Sequence, residues 1–317
     1  MKIVVLDGHT LNPGDLDWTS LEALGEVTIY PRTKSAETHQ RAQAADILVV
    51  NKHLLDADLL AKLPQLKLVA VTATGFNNVD VTAAAEHGIP VCNVSGYSTP
   101  AVAQHVFALL THFTNQVAAH NASVQAGDWS RSPDFAYTLD TITELTALRL
   151  GIYGLGRIGQ AVARVGQALG MDVWAHHKHP KRDAMDGVTF VDLPTLFAKC
   201  NVVSLHAPLS ASNHEIVNYA LLKTMPAPSY LINTGRGGLI HEKDLARALQ
   251  EGMLTGAALD VLSSEPPPAD HPLIGVPNCI ITPHVAWASQ SARNRLLAET
   301  VQNIEAFQTG KLRNRVN

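Results

Sequence analysis

The chain has 317 residues, of which 46% are hydrophobic and 16% charged, and its formal net charge is -4. This length predicts two domains of ordinary size. A slightly acidic balance without a basic stripe excludes the usual class of nucleic-acid-binding proteins. No apolar run approaches the roughly 20 residues of a membrane-spanning helix. The cysteines Cys92, Cys200 and Cys279 are three in number and lack metal-ligand spacing, which predicts free thiols, no metal site and a cytoplasmic protein.

Residues 1–98 alternate short β-rich runs with helix-length segments. The first run starts close to Met1 and passes directly into polar residues, which is not typical of a signal peptide. Strands that alternate with helices predict a parallel sheet covered on both faces. The predicted strands of this first series are Ile3–Leu6, Val27–Tyr30, Ile47–Val50, Leu68–Val71 and Pro90–Val94.

A second series of the same kind begins at Leu150. Its predicted strands are Leu150–Tyr153, Asp172–Ala175, Val202–Leu205, Tyr230–Ile232, Gly256–Leu259 and Cys279–Ile281. Mostly helical segments at 99–126 and 288–308 stand where the chain would cross between two sheets. We therefore expect an α/β protein with two doubly wound parallel-sheet domains. The first is discontinuous, residues 1–98 and 285–317, and the second covers residues 99–284. Segment 127–135 is either an ordinary surface loop or an arm that packs on a second subunit.

A strand, a glycine motif and a helix follow one another at residues 150–169. The motif runs from Gly154 through Gly156 to Gly159 and includes Arg157 and Ile158. In such a motif the first glycine permits a tight turn, the second lets the backbone approach a pyrophosphate, and the third allows close packing of helix on strand. The start of the helix then offers free N–H groups to the phosphates. The order of the elements predicts a dinucleotide site.

The end of the next strand departs from the usual pattern for NAD. An acidic residue about 20 positions after the glycines normally binds the adenosine ribose. His177 stands there, 18 residues after Gly159, and neither neighbour is acidic. Lys178, with Lys181 and Arg182, either faces the 2′-phosphate of NADP or is simply solvated. NAD and NADP both stay open, and the missing acid favours NADP or dual use.

Three polar residues follow predicted strands of the second series. Arg236 comes after strand 230–232, Glu265 after strand 256–259, and His284 after strand 279–281. Ligands of open parallel sheets bind beyond the carboxyl ends of the strands. Each residue alone has an ordinary explanation as a surface or loop residue. All three at one rim, after a dinucleotide motif, predict a catalytic set.

With these motifs the chain resembles the D-isomer-specific 2-hydroxyacid dehydrogenase family. Finer details are similar to its glycerate dehydrogenase and hydroxypyruvate reductase branch, including Asp128 with Trp129 and the three prolines that follow Glu265. The resemblance covers nearly the whole chain and implies a Rossmann cofactor domain and a flavodoxin-like substrate domain. The segments that carry it are 71–80, 99–105, 154–159, 206–209, 233–237, 258–261 and 282–284.

The resemblance also implies the chemistry, which is hydride transfer between a nicotinamide cofactor and a small 2-oxo acid, hydroxypyruvate above all. Arg236 is a rigid fork of donors that suits a carboxylate beside a ketone. His284 is the general acid or base, and Glu265 orients its ring and favours the protonated form. The backbone N–H groups of Thr74, Gly75 and Phe76 are a second hold on the carboxylate, and Asn51 is a further substrate-contact candidate.

Six further residues are expected from the resemblance to border the cofactor, and a cleft is expected to close over the substrate. For one of them, Asp260, a purely structural role is the alternative. The resemblance implies a homodimer and a small-molecule substrate, whereas the net charge and the short apolar runs predict neither nucleic acid nor membrane as a partner. A glyoxylate or general 2-oxo acid reductase stays open, as does a non-enzymatic, cofactor-sensing protein of the corepressor type. The six residues are His206, Ala207, Pro208, Thr234, Gly235 and Asp260.

Overall fold

The computed structural model describes residues 1–317, and its contacts divide the chain into two compact units. One unit is Met1–Ser98 with Trp287–Asn317, and the other is Thr99–Ala286. The second crossing therefore comes two residues later than the expected boundary between residues 284 and 285. No helix has both the length and the apolar run needed to cross a membrane.

The first unit is built on a five-stranded parallel sheet in the order β2-β1-β3-β4-β5, which is the flavodoxin-like order. The central strands are apolar throughout and buried on both faces, as expected where helices cover both sides of a sheet. The strands are β1 (Lys2–Val5), β2 (Glu26–Ile29), β3 (Ile47–Val50), β4 (Leu68–Val71) and β5 (Val91–Cys92). The helices are α1 (Gly8–Leu11), α2 (Thr19–Glu22), α3 (Thr38–Ala42), α4 (Ala57–Ala61) and α5 (Val81–Glu86), with a 3-10 turn at Ser35–Glu37.

The second unit begins with helical segments that the sequence suggested as one stretch. They separate at Gln116, whose φ of 53° lies in the left-handed region and so ends the regular helix. Segment 127–135, expected to be loop-like, contains a short helix. The segments are α6 (Thr99–Asn115), α7 (Val117–Gln125) and α8 (Asp128–Arg131), followed by a 3-10 turn at Leu145–Ala147.

The sheet of the second unit has seven parallel strands in the order β12-β11-β10-β9-β6-β7-β8, the Rossmann order extended by one strand. Strand β8 was not predicted, because its three residues are only partly buried and give little periodicity. The strands are β6 (Arg149–Tyr153), β7 (Asp172–His176), β8 (Val188–Phe190), β9 (Val202–Leu205), β10 (Tyr230–Asn233), β11 (Gly256–Leu259) and β12 (Cys279–Ile281). The helices are α9 (Arg157–Ala168), α10 (Leu193–Lys199), α11 (Tyr219–Leu222) and α12 (Glu242–Gln250), with a 3-10 turn at Gly237–Leu239.

The last helix and the residues after it belong to the first unit. Helix α13 (Gln290–Gln308) packs against β4. Its buried Arg293 forms a bidentate salt bridge with Asp15, with both N–O distances at 2.6 Å. The segment that follows runs antiparallel to β5, where Arg315 pairs with Cys92 and the Val316 N–H donates to the Val91 carbonyl. This segment covers the edge of the five-stranded sheet.

Candidate active site

The glycine motif forms a tight turn between β6 and α9. Gly154 has a φ of +99°, and a Cβ there would lie 2.5 Å from the backbone nitrogen of Ala207. A Cβ on Gly159 would lie 2.2 Å from the Gly154 carbonyl oxygen, so this glycine lets the helix start directly against the turn. A Cβ on Gly156 would meet nothing within 4 Å. Two of the glycines are therefore required by packing, and the middle one faces open space.

This open space has the features of a phosphate cradle. Helix α9 has 12 residues, and its N-cap residue Gly156 offers no side-chain cap, so the first-turn N–H groups and the positive dipole end suit an anion. Two predicted cofactor residues have buried polar atoms without a partner, Thr234 Oγ1 and His206 Nδ1, and such atoms often mark a ligand or water position. These residues fit a dinucleotide.

The ring of His206 is neutral in this setting. Its Nε2 lies 2.8 Å from Oγ of the buried Ser204, and burial lowers the pKa of His206 to about 3. The residue as a whole is only partly buried, but the ring nitrogens are the enclosed part. Because burial disfavours a positive charge on this ring, His206 presents a neutral polar atom, Nδ1.

An acidic residue does lie beside His177, but it is Asp183, six residues later in the chain than the usual position. His177 Nδ1 accepts the Leu155 N–H at 3.1 Å, so Nε2 carries the proton and donates to Asp183 at 2.6 Å. Arg182 binds the same carboxylate, and hydrogen bonds from Arg182 and then from His177 hold the pKa of Asp183 well below its usual range. Lys178 is exposed. Both ring nitrogens of His177 thus have hydrogen-bond partners within the protein.

Arg236 lies in a loop shaped by buried groups. Asn233 at the end of β10 accepts the Gly235 N–H and donates to the Arg236 carbonyl. A Cβ on Gly237 would fall 1.9 Å from the carbonyl carbon of Leu262, so this loop packs directly on the segment before Glu265. The Arg236 side chain is partly buried, and its Nη1 donates to the Gly235 carbonyl at 2.8 Å. That hydrogen bond fixes the guanidinium group against the backbone of the loop.

His284 and Glu265 form a direct pair. His284 Nδ1 lies 2.7 Å from Glu265 Oε2, and the other carboxylate oxygen accepts the Leu262 N–H at 3.1 Å. The His284 side chain is 26% exposed, so Glu265 orients the ring while solvent or a substrate can still reach this site. The pairing leaves Nε2 as the ring atom available for proton transfer.

The backbone at His284 is strained and is held by Asp260. His284 has a φ of 54°, a conformation that costs a non-glycine residue about 1–2 kcal/mol. Its N–H donates to the Asp260 carbonyl. The buried Asp260 carboxylate accepts the Val285 and Ala286 N–H groups at 2.9 and 2.8 Å, and the Thr282 hydroxyl at 2.6 Å. Asp260, predicted to border the cofactor, thus binds the loop that carries His284.

The predicted substrate residues of the first unit are at the ends of β3 and β4. The amide nitrogen of Asn51 donates to the Thr72 carbonyl, while its Oδ1 is buried without a partner. The backbone N–H groups of Thr74, Gly75 and Phe76 donate to no protein acceptor. A row of free N–H groups is suited to bind a carboxylate.

Sequence reasoning missed several residues that shape these sites. Asp7 accepts the backbone N–H groups of residues 51–53 at 2.6 to 3.0 Å. His105 lies 3.1 Å from the Thr282 hydroxyl, and Asp183 lies six residues past His177. Only the position of Asp7 at the end of a strand gave any signal, since the other contacts depend on how loops fold back.

Taken together, a Rossmann-ordered sheet, an open glycine cradle and a paired histidine and carboxylate near an arginine define a dinucleotide-dependent dehydrogenase. The family model described as D-isomer specific 2-hydroxyacid dehydrogenase, NAD binding domain, matches residues 107–286. The chain belongs to the D-isomer specific 2-hydroxyacid dehydrogenase family, and it is an NAD- or NADP-using oxidoreductase.

Full-length relatives and a solved structure agree with this assignment. The hydroxypyruvate reductase of Blautia hydrogenotrophica is 43% identical, with 100% of both chains covered. The glycerate dehydrogenase of Methylorubrum extorquens is 40% identical over 99% of this chain and 98% of its own. An NADPH-dependent glyoxylate/hydroxypyruvate reductase from Sinorhizobium meliloti, solved with NADP and malonate, has a TM-score of 0.82 at 29% identity, covering 99% of this chain and 96% of that one.

Proposed function

We propose that this enzyme interconverts hydroxypyruvate and D-glycerate. The observation that carries the proposal is the His284–Glu265 pair, held at 2.7 Å beside the arginine loop. The names of the relatives at 43% and 40% identity support the choice of substrate. Arg236, Glu265 and His284 are the proposed catalytic residues.

The side chains have separate tasks in this proposal. Arg236 binds the substrate carboxylate and polarises the neighbouring ketone, since its planar fork fits two oxygens at once. NADH or NADPH, when bound, supplies the hydride to the carbonyl carbon. His284 gives the carbonyl oxygen its proton from Nε2, and Glu265 stabilises the protonated ring that is needed first. In the reverse direction neutral His284 takes the proton of the hydroxyl group.

The open glycine cradle would hold the pyrophosphate of the cofactor, through Gly154, Gly156, Arg157, Ile158 and Gly159. Residues 206–208, Thr234 and Gly235 border the rest of it. We propose that NADH and NADPH are both accepted. Exposed Lys178, Lys181 and Arg182 attract a 2′-phosphate, whereas Asp183 repels it.

The segment 117–142 supports a homodimer. Helix α7 has no buried residue, and Phe135 is 93% exposed although Trp129 donates to its carbonyl at 3.0 Å. Exposed apolar side chains within an ordered segment are typical of protein interfaces, and a second copy of the same chain is the commonest partner. We therefore propose that segment 117–142, which includes the candidate arm at 127–135, packs on another subunit. The three free cysteines support a reducing, cytoplasmic location.

A steady-state screen tests the substrate proposal. Hydroxypyruvate, glyoxylate and pyruvate are each offered with NADH and with NADPH, and the His284→Asn variant serves as the chemical control. We expect the highest kcat/KM for hydroxypyruvate. No turnover of hydroxypyruvate by the wild-type enzyme would refute the proposal.

Glyoxylate is the second candidate substrate. The Sinorhizobium meliloti structure is named for both substrates. Four relatives at 33–35% identity, which match 81–89% of this chain, are named glyoxylate reductase. A higher kcat/KM for glyoxylate than for hydroxypyruvate would favour it.

A further inference from the structure

The free N–H groups of residues 74–76 lie in a loop that is fixed from one side. The Thr74 hydroxyl donates to the Val94 carbonyl at 2.9 Å, and the amide nitrogen of Asn93 donates to the Thr74 carbonyl at 2.7 Å. Thr74 and Gly75 share one peptide unit, which is planar and trans. The hydrogen bond to the Thr74 carbonyl therefore also fixes the direction of the Gly75 N–H, which points the opposite way.

Asn93 is itself held by two other asparagines. Its N–H donates to the Asn314 carbonyl at 3.1 Å, and its carbonyl accepts the amide nitrogen of Asn303 at 3.0 Å. The Asn314 amide nitrogen donates to Asn303 Oδ1 at 2.9 Å. We call Asn93, Asn303 and Asn314 the amide chain. It links helix α13 and the segment after it to the loop at Thr74.

The position of Asn303 needs an explanation beyond packing. It is 1% exposed on α13, where an apolar residue would be the ordinary choice. Burying an amide is costly unless its polar atoms are bonded. Both ends of the Asn303 amide form their hydrogen bonds within the amide chain. Its hydrogen bonds therefore serve to hold Asn93 and Asn314 in place.

We propose that Asn93 is a positioning residue for the substrate carboxylate, acting through the Thr74–Gly75 peptide and held by Asn303 and Asn314. This inference rests on the proposed function, in which residues 74–76 bind the carboxylate of a 2-oxo acid. Asn93 does not touch the reacting atoms. It fixes a donor, and by binding the carbonyl of the same peptide it also polarises the Gly75 N–H.

Kinetics of Asn93→Ala test the proposal. Without the donor to the Thr74 carbonyl, we expect the KM for hydroxypyruvate to rise about fivefold to tenfold, the factor that loss of one ordinary hydrogen bond produces. The kcat should stay within about twofold, because His284, Glu265 and Arg236 lie in the other unit. The Kd of NADH, measured by fluorescence titration, should not change. A merely structural role would not separate KM from kcat in this way.

Two further variants complete the test. Asn314→Gly removes only the amide, since glycine suits the φ of 53° at that position, and a smaller rise of KM in the same direction is expected. Gln308→Ala is the matched control, because it removes an amide-to-carbonyl bond from the same helix, to Leu24, outside the amide chain. Its KM should equal that of the wild type.

The outcomes separate this inference from the proposed function. If the wild-type enzyme turns over hydroxypyruvate and Asn93→Ala has the wild-type KM, the proposed role of Asn93 is overturned while the proposed function stands. A KM raised equally in Gln308→Ala also overturns it, because general loosening of α13 would then be the cause. If the wild-type enzyme does not turn over hydroxypyruvate, the proposed substrate is wrong. The same variants are then compared with glyoxylate as the substrate.

Discussion

Replacing Asp260 by asparagine tests how the loop of His284 is held. Oδ1 of the carboxylate accepts two donors, from Thr282 and Val285, and Oδ2 accepts the Ala286 N–H. The asparagine oxygen would keep the first two, so its NH2 group would face the Ala286 N–H. One hydrogen bond to a charged acceptor is lost, and a buried donor is left without a partner.

The expected size of the effect follows from this count. A hydrogen bond to a charged group contributes about 1.5–3 kcal/mol, which corresponds to about 10-fold to 150-fold in rate if the misplaced His284 appears fully in the barrier. We therefore expect kcat with hydroxypyruvate to fall by that factor, while the Kd of NADH from fluorescence titration changes little.

Three results would refute this reasoning. An unchanged kcat in Asp260→Asn would mean that the carboxylate does not position His284. A large rise in the Kd of NADH with a smaller change in kcat would favour direct contact with the cofactor. Asp192→Asn is the matched control, because Asp192 caps α10 in the same unit and asparagine caps equally well; a loss of activity there would point to a general effect.

Three other substitutions probe the remaining groups. His284→Asn keeps a residue that tolerates the left-handed backbone, so we expect kcat to fall by about 10²–10⁴ with no change in cofactor Kd; a kcat within tenfold of wild type contradicts the proton-transfer role. Arg236→Lys should lower kcat/KM by about two orders of magnitude, because the point charge of an ammonium group replaces a bidentate guanidinium donor. A near-normal kcat/KM would show that the positive charge alone suffices. Asp183→Asn should raise the ratio of kcat/KM for NADPH to that for NADH about fivefold at low salt, since like-charge repulsion is removed. An unchanged ratio, or an equal rise in Asp186→Asn in the same loop, argues against the role of Asp183.

The sequence predicted the two parallel sheets well because their central strands are continuous apolar runs. Strand β8 escaped prediction since residues 188–190 at the sheet edge are only partly buried. The break at Gln116 also left no signal, because glutamine is an ordinary helix residue.

The candidate site was predictable where chemistry is concentrated at strand ends. Arg236, Glu265 and His284 stand out because parallel strands end at one rim. The partner of His177 did not, since Asp183 reaches it through a loop with no periodicity. The amide chain was also beyond prediction, because Asn93, Asn303 and Asn314 are far apart in sequence and meet only through tertiary packing.

The loop after β12 is held through its backbone, and this has a consequence for how the enzyme can vary. Asp260 binds the N–H groups of Val285 and Ala286, and N–H groups are the same for every residue except proline. Val285 is 40% exposed, so its side chain can change without moving His284. Substitutions at position 285 can therefore alter the surface next to His284 while the backbone of His284 stays in place.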